Sequence, residues 1–346
     1  MKKVCVIGNL GSSKESFDGQ TIKTRIVIDE IQKRFGKENV KVINSNGGIK
    51  KVFLLILRII LTAFFYKNIV IMPAQNGLRV IPPLISIINV LFSRQVHYVV
   101  IGGWMPSLIE NKPFLKFCLK SFNHIYVETS VMQAALKKMN FKNVEVMFNC
   151  KSLKILAEHE LKTKTEYPLK FCIFSRVMKQ KGVEHAVYAI SELNNIYGEN
   201  KCCLDIYGKI DENELDWFES LKQTFAENIH YRGLVSFDKS VETVKKYDVL
   251  LFPTLFYTEG IPGTLIDAYA AGVPVISSRW ESFSDVVDEN VVGMGYSFGS
   301  KEALLEVMKK VVDNPELLIK MKINCISKAK VFTPSIAMAN LLNNLN

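Results

Sequence analysis

The chain has 346 residues, of which 48% are hydrophobic and 23% charged, and its formal net charge is +10. This composition excludes an intrinsically disordered protein, and the length favours two domains. The seven cysteines contain no CxxC pair. Their spacing argues against a disulfide framework or a zinc site and for a reducing compartment, with the thiols buried as small hydrophobic side chains.

The positive charge is concentrated in the first half of the chain. Residues 1–150 contain 21 Lys and Arg against 8 Asp and Glu, and no acidic residue lies between Glu38 and Glu110. The cations in that acid-free stretch are Lys41, Lys50, Lys51, Arg58, Lys67, Arg79 and Arg94. The asymmetry indicates an anionic partner, such as a phospholipid surface or a lipid-linked phosphate, or else a solvated basic face. Nucleic acid is not expected, because no interleaved aromatic and basic residues or known module accompany the charge.

Two apolar segments of the first half are too short for a leader or a membrane span. The run at 4–8 is a buried-strand pattern and is too brief for a signal peptide. The run at 52–66 has fifteen residues with Arg58 inside it, whereas about 20 apolar residues are needed to cross a bilayer. We therefore predict no transmembrane helix, and the amphipathic segment 50–66 favours peripheral attachment to a membrane.

Strand-like and helix-like patterns alternate along the whole chain. The strand patterns of the first half lie at 4–8, 40–44, 68–72, 95–102, 124–128 and 144–148, with helical patterns such as 21–35 and 130–139 between them. A polar stretch at 151–167 has no strand pattern and is the expected connection between domains. The alternation then restarts with strand patterns at 169–175, 201–208, 229–233, 249–254 and 273–277, and 301–346 is predicted as helices. This order predicts an α/β protein with two doubly wound Rossmann-like domains, each with a parallel sheet covered on both faces.

Ligands of doubly wound sheets bind at the carboxyl ends of the strands, and the segment 249–277 has suitable residues there. A strand pattern ends near Pro253, a loop holds Glu259, and a helix is predicted to begin near Gly263. The backbone N–H groups of Gly263, Thr264 and Leu265 can hold phosphate oxygens at the positive end of that helix. Glu259 can accept hydrogen bonds from sugar hydroxyls, and Asp267 can accept both hydroxyls of a ribose. A strand, turn and helix with a capping carboxylate would also account for Glu259 alone.

Two cations follow the first strand pattern of the second half. Arg176 comes directly after that strand, and Lys181 with Gly182 opens the next helix. Together they can neutralise a leaving diphosphate. Surface cations without a ligand are disfavoured here, because a helix N-terminus repels cations unless an anion is present.

The loop at 8–25 follows the first strand of the chain. It contains Gly8, Gly11 and Gly19, a spacing that differs from the GxGxxG of dinucleotide-binding turns.

The segment 249–277 resembles the signature of retaining glycosyltransferases of family four, the group one transferases with the GT-B fold. The shared pattern is a Glu-Gly loop, a second acidic residue eight positions later, and a Gly-x-Pro-Val-Ile strand. The second acidic residue is Asp267, where the family usually has Glu. Arg176 and Lys181-Gly182 match the family's Arg and Lys-Gly motif, and 230–253 is similar to the loop that holds the nucleobase. The segment 291–295 is similar to the turn that follows the site. The resemblance covers most of the chain and is strongest from 169 to 295.

The resemblance implies two domains that face a cleft. Residues 1–150 would be the acceptor side, residues 168–330 the nucleotide-sugar donor side, and the C-terminal helix at 331–346 would pack back toward the N-terminal domain. The implied catalytic residues are Glu259, Arg176 and Lys181. The implied donor-binding residues are Gly260, Ile261, Gly263, Thr264, Leu265, Asp267, Gly233 and Val235.

On the acceptor or donor-sugar side, the resemblance implies Gly19, Gln20, Thr21 and Trp104. Trp104 lies in the segment 101–106, where many family members carry a histidine that faces the sugar, and a core or surface position would equally account for it. His97 lies inside a strand pattern and is expected to be packed, so no N-terminal histidine is assigned to the site.

The implied activity is transfer of a hexose, with retention of anomeric configuration, from a nucleoside-diphosphate sugar to a hydroxyl of a lipid-linked or other glycan acceptor. A UDP-sugar is the expected donor, bacterial cell-surface polysaccharide synthesis the expected pathway, and no metal or other cofactor is expected. The expected location is cytoplasmic, peripheral on the inner face of an anionic membrane. A nucleotide-sugar epimerase of the same fold and a non-catalytic subunit of a glycosylation complex remain alternatives.

Overall fold

The structure, a computed structural model, describes residues 4–11, 19–46 and 49–346, with the segment 49–55 described by its backbone alone. The strands are β1 Val4–Gly8, β2 Val40–Asn44, β3 Asn68–Met72, β4 Gln95–Val99, β5 His124–Val127, β6 Val144–Val146, β7 Leu169–Phe174, β8 Cys202–Tyr207, β9 Ile229–Gly233, β10 Val249–Phe252, β11 Val275–Ser278 and β12 Gly293–Tyr296. The helices are α1 Gly19–Phe35, α2 Ile49–Phe65, α3 Ile81–Phe92, α4 Met105–Ile109, α5 Pro113–Lys120, α6 Ser130–Lys138, α7 Val183–Tyr197, α8 Leu215–Lys222, α9 Ser240–Val244, α10 Gly263–Ala270, α11 Phe283–Val286, α12 Lys301–Asp313, α13 Glu316–Ala329, α14 Pro334–Ala337 and α15 Ala339–Asn344.

The chain divides into two compact units. The first contains Met1–Ser152 together with Phe332–Asn346, and the second contains Leu153–Val331. The helices α14 and α15 therefore belong to the first unit, where Asn68 in β3 donates a hydrogen bond from Nδ2 to the carbonyl of Leu345 at 3.1 Å.

The first unit has a parallel sheet in the order β2-β1-β3-β4-β5-β6. One face of the sheet packs against α2, α3 and α5 through Ile59, Ile85 and Leu115. The other face packs against α1 and α15 through residues such as Ile31 and Leu341. Because both faces are covered, β1 and β3 are buried along their whole length, which is why they appear in the sequence as continuous apolar runs.

The second unit has a parallel sheet in the order β12-β11-β10-β7-β8-β9. Its main core joins β7 and β8 to α7 and α12 through residues such as Phe171, Ile190 and Met308. On α10, residues 265–270 are all buried, and this helix packs against α13.

The predicted fold class, two doubly wound parallel sheets, is confirmed, but one strand differs from the prediction. The resemblance implies a turn at 291–295, whereas residues 293–296 form β12 beside β11. Glycine is a poor strand former, so the pattern Gly-Met-Gly-Tyr does not indicate a strand. The glycines permit a close approach, because a Cβ on Gly293 would lie 2.4 Å from the carbonyl oxygen of Val275.

The apolar helix α2 is too short for a membrane span, since it has 17 residues. No other helix in the described part of the chain is long and apolar enough to cross a bilayer.

Candidate functional site

The second unit has a topological switch point between β7 and β10. From β7 the chain continues through β8 and β9 on one side of the sheet, and then through β10, β11 and β12 on the other. The connections that leave neighbouring strands β7 and β10 therefore run in opposite directions, which opens a crevice at their carboxyl ends. Arg176 follows β7, and the loop with Glu259 follows β10, so both lie at this edge of the sheet.

Lys181 and Glu259 form an ion pair at this edge. Lys181 Nζ donates to Glu259 Oε2 at 2.6 Å, and the two side chains are only 15% and 16% exposed. The hydroxyl of Thr254, which is buried just after β10, donates to the same Oε2 at 3.2 Å. The ammonium group also lies 5.5 Å from the centre of the Phe252 ring. Within the described residues both side-chain hydrogen bonds to this carboxylate end on Oε2.

The position after Lys181 requires a glycine. Its φ is +68°, and a Cβ there would lie 1.8 Å from the carbonyl oxygen of Pro253. The same two loops are joined by a hydrogen bond from Leu255 N–H to the carbonyl of Gln180 at 2.8 Å. This close approach of the two backbones places Lys181 against the loop that carries Glu259.

Arg176 is at the same edge but has a different partner. Its guanidinium lies 3.5 Å from Asp211 Oδ2, and its side chain is 62% exposed. Among the described contacts, the structure does not join Arg176 to Lys181 or Glu259.

The N-terminus of α10 has the features of an anion site. Pro262 precedes it with extended backbone, no acidic side chain lies in the first turn, and no side chain caps it. Leu265 N–H donates to the carbonyl of Pro262 at 3.1 Å, so it is already engaged. Thr264 Oγ1 is buried and finds no hydrogen-bond partner within the described residues. The N–H groups of Gly263 and Thr264, together with the Thr264 hydroxyl, are the donors that a phosphate would meet at this positive helix end.

Two other predicted donor residues are more buried than the sequence suggested. Ile261 is 3% exposed, so its side chain belongs to the core. Asp267 is 2% exposed on α10, which leaves little of its surface for a ribose. Gly260, between the loop carboxylate and Ile261, is half-buried.

Gly233 and Val235 lie at the carboxyl end of β9. Gly233 has a φ of +76° with open space where a Cβ would be, and its carbonyl accepts a hydrogen bond from Gly208 N–H at 2.9 Å. Val235 is half-buried, whereas Leu234 between them is 73% exposed. The loop therefore presents backbone groups at the same edge of the sheet as the other predicted donor residues.

The remaining predicted residues belong to the first unit. Gly19 and Gln20 begin α1, where Gly19 is exposed and Gln20 Nε2 is buried with no partner within the described residues. Thr21 is fully buried. Trp104 is half-buried against the core, with its ring beside Gly102. Residues 12–18 of the predicted loop lie outside the described residues.

Sequence reasoning missed several residues of this site. Thr254 and Phe252 hold the Lys181–Glu259 pair, and the loop after β10 also presents Phe256 and Tyr257, which are 42% and 51% exposed. The available signal was their position directly after a buried strand pattern, where ligand contacts are concentrated.

Among the described residues, those of this site are not part of a metal-binding group, and one cavity of the second unit lies at the other edge of the sheet. In residues 4–11, 19–46 and 49–346, no three His, Cys, Asp or Glu side chains are grouped so that they could hold a metal ion. A cavity of about 300 Å³ lies beside the residues that precede β10 and β11. It is therefore at the amino ends of these strands, whereas the residues described above lie at the carboxyl ends.

Similarity to known proteins covers both the site and the fold. Residues 168–314 match the family described as "Glycosyl transferases group 1". An uncharacterised glycosyltransferase of Methanocaldococcus jannaschii is 25% identical over 162 residues, which are 46% of this chain and 40% of that protein. The amylovoran biosynthesis glycosyltransferase AmsK of Erwinia amylovora is 27% identical over 162 residues, 44% of this chain and 38% of AmsK. The matches thus span about two fifths of the length of these curated relatives.

The fold has a solved counterpart over its whole length. The structure of Anabaena HepE in complex with UDP has a TM-score of 0.76 and 14% sequence identity, and the match covers 100% of this chain and 99% of HepE. Over residues 168–314, which contain all the residues predicted for catalysis and donor binding, this chain thus matches the group 1 glycosyl transferases, and its entire length shares the fold of HepE.

Proposed function

We propose that this protein is a retaining glycosyltransferase that moves a hexose from a UDP-sugar to a hydroxyl of a lipid-linked or other glycan acceptor. The observation that carries the proposal is the Lys181–Glu259 pair beside the uncapped N-terminus of α10, at the switch point of the sheet. These residues lie in the segment that matches group 1 glycosyl transferases. The fold match with HepE, solved with UDP and with UDP-glucose, supports a UDP-sugar as the donor.

In the proposed reaction the donor's diphosphate lies at the N-terminus of α10. The N–H groups of Gly263 and Thr264 bind its oxygens, and Lys181 and Arg176 contribute positive charge as the bond to the sugar breaks. Glu259 Oε1 accepts a hydrogen bond from a sugar hydroxyl, while Lys181 and Thr254 donate to Glu259 Oε2. Because two side-chain cations are available to the leaving diphosphate, we propose that the reaction needs no metal ion.

Retention of configuration follows if the acceptor approaches the face of the sugar that the diphosphate leaves. The acceptor oxygen then forms the new bond to the anomeric carbon as the bond to the diphosphate breaks. The leaving phosphate oxygen takes the acceptor's proton, so the step requires no separate base. This route suits the site because no histidine is among the residues that contact the Lys181–Glu259 pair in the described structure.

We further propose a cytoplasmic location at an anionic membrane and a role in cell-surface polysaccharide synthesis. All seven cysteines are free, which suits a reducing compartment. The basic first half suits an anionic surface, and the similarity to AmsK, named for amylovoran biosynthesis, supports the pathway.

The test begins with thermal shifts from a panel of UDP-sugars and GDP-sugars, because a bound donor stabilises the folded state. The donor that binds is then supplied in labelled form with EDTA present, and transfer and hydrolysis are followed. Proton NMR of the first-formed product gives its anomeric configuration. Turnover only with added metal, or inverted product, would contradict the corresponding part of the proposal. Interconversion of two nucleotide sugars would indicate the epimerase, and binding of the donor without turnover would indicate a non-catalytic subunit.

A further inference from the structure

Three helices on one side of the first sheet have a second apolar side that the core does not use. α3 packs between α2 and α5, and their inner sides are buried through residues such as Ile59, Ile85 and Leu115. Their outward side is also apolar. The exposed residues that form it, called here the apolar face, are Leu57, Leu61, Phe64 and Phe65 on α2, Ile87, Val90 and Leu91 on α3, and Phe114 and Phe117 on α5.

The side chains of this face are highly exposed, and their spacing along each helix places them on one side of it. Val90, Leu91 and Phe117 are 80%, 81% and 71% exposed. Within each helix the exposed apolar residues recur at intervals of one, three or four positions, so each helix contributes one stripe. A helix that covers a sheet needs one apolar stripe, and its outward side is normally polar. Contiguous exposed apolar surface of this kind usually marks an interaction site.

Contacts at one end of the face join α2 to α3. Phe64 and Phe92 pack edge to face with ring centres 4.6 Å apart. The Arg94 guanidinium donates to the carbonyl of Ala63 at 2.6 Å and to that of Phe64 at 3.3 Å, so it satisfies the end of α2. These contacts hold the end of α2 against α3 and fix the ring of Phe64 within the face.

The charged residues of the three helices and of the segments that join them are almost all positive. α3 contains no charged residue, and Glu110 is the only acidic residue between Glu38 and Glu128. Cations with described side chains on and beside the three helices include Arg58, Lys67, Lys112, Lys116 and Lys120. The side chains of Lys50 and Lys51 lie outside the described residues.

We propose that the apolar face binds the surface of an anionic bilayer. The aliphatic and phenyl side chains enter the boundary between headgroups and acyl chains, and the surrounding cations meet lipid phosphates. A second copy of this chain fits less well, because two such faces would bring like charges together. The inference rests on the membrane location proposed above but is independent of glycosyl transfer, because lipid binding can be measured without a donor.

Flotation of the full chain with vesicles tests the proposal. We expect binding to equimolar phosphatidylglycerol and phosphatidylcholine, weaker binding as salt rises, and much weaker binding to phosphatidylcholine alone. The double variant Val90→Ser with Leu91→Ser should reduce binding to the anionic vesicles by about tenfold or more. The matched control is Ile196→Ser in the second unit, which removes a side chain that is 53% exposed and should leave binding unchanged. Because the substituted residues are on the surface, the thermal shift with UDP should be the same in all these proteins.

A second readout separates insertion from charge attraction. The tryptophan introduced by Leu91→Trp should add fluorescence that brominated acyl chains quench in anionic vesicles. The tryptophan introduced by Ile196→Trp should add fluorescence that they do not quench. Equal binding of the serine double variant and the unchanged protein, or a lack of quenching at position 91, would overturn the proposal. A dimer in sedimentation equilibrium that the serine double variant dissociates would assign the face to a second copy instead. Binding of the unchanged protein to anionic vesicles without turnover of any UDP-sugar or GDP-sugar would overturn the proposed function and leave this inference standing.

Discussion

Lys181 and Glu259 are 78 positions apart in the chain, yet their side chains form an ion pair of 2.6 Å in which each is about five-sixths buried. One follows β7 and the other follows β10, and the pair exists because Gly182 lets the two loops approach. A pair this buried leaves an uncompensated charge when one partner is removed. The two residues should therefore show coupled effects on stability and separable effects on function.

Glu259→Gln should keep the fold and UDP binding but lower turnover by about two orders of magnitude or more, because the amide is a weaker acceptor for a sugar hydroxyl. Lys181→Met should instead weaken UDP binding. In urea unfolding, the double variant Glu259→Gln with Lys181→Met should lose about 1 kcal/mol less stability than the two single variants lose together. Calorimetry with UDP measures binding in these variants, and the rate of donor hydrolysis measures turnover. Turnover at the level of the unchanged protein in Glu259→Gln would remove this residue from the mechanism.

Gly182→Ala should destabilise the protein by about 3 kcal/mol or more and abolish donor turnover, because the new Cβ would collide with the carbonyl oxygen of Pro253. Gly198 is a matched control at the end of α7, since its φ is +66° and nothing lies within 4 Å of the point where a Cβ would be. Gly198→Ala should lose only about 1 kcal/mol, the cost of a left-handed alanine. Urea unfolding of the two variants compares them, and equal losses would show that the close approach contributes nothing.

Arg176→Ala should change stability little, because the side chain is 62% exposed and its only described charge partner is Asp211 at 3.5 Å. UDP affinity should fall by about tenfold while uridine affinity stays the same, since the lost interaction is with the diphosphate. Asp211→Asn is the control that removes the ion pair but keeps the cation. If both variants lost UDP affinity equally, Arg176 would act by holding its loop and not by contacting the diphosphate.

The sequence predicted more of the fold than of the site geometry. Apolar runs predicted most strands because a parallel sheet buries both faces, whereas β12 was missed because glycine-rich strands have no such pattern. Lys181 and Glu259 were each assigned to a ligand, but their pairing depends on how closely two backbones approach, which no local pattern encodes. The burial of Asp267 could not be predicted either, because it depends on how α10 packs against its neighbours.

A buried histidine in the first unit predicts how stability depends on pH. His97 in β4 is fully buried, its ring stacks on His124 at 5.2 Å, and its Nδ1 lies 3.4 Å from the Tyr126 hydroxyl. Burial, with a smaller contribution from the charge of His124, lowers the pKa of His97 to about 3. Glu145 and Asn344 complete the polar cluster, since His124 Nδ1 lies 2.6 Å from Glu145 Oε1 and Asn344 donates to the Tyr126 hydroxyl at 3.0 Å.

His97 should make the folded state less stable as the solution becomes acidic. In the unfolded chain its pKa is about 6.5, so between that pH and about 3 the unfolded state binds a proton that the folded state does not. The free energy of unfolding should then fall by up to about 1.4 kcal/mol for each pH unit over this window, with no contribution from His97 above it. His97→Phe keeps an aromatic ring in the stack and also removes Nε2, a buried nitrogen without a hydrogen-bond partner in the described structure. Urea unfolding at a series of pH values should therefore show a slope that is smaller in His97→Phe by about one proton. Parallel curves for the two proteins would mean that His97 accepts its proton in the folded state as readily as in the unfolded one.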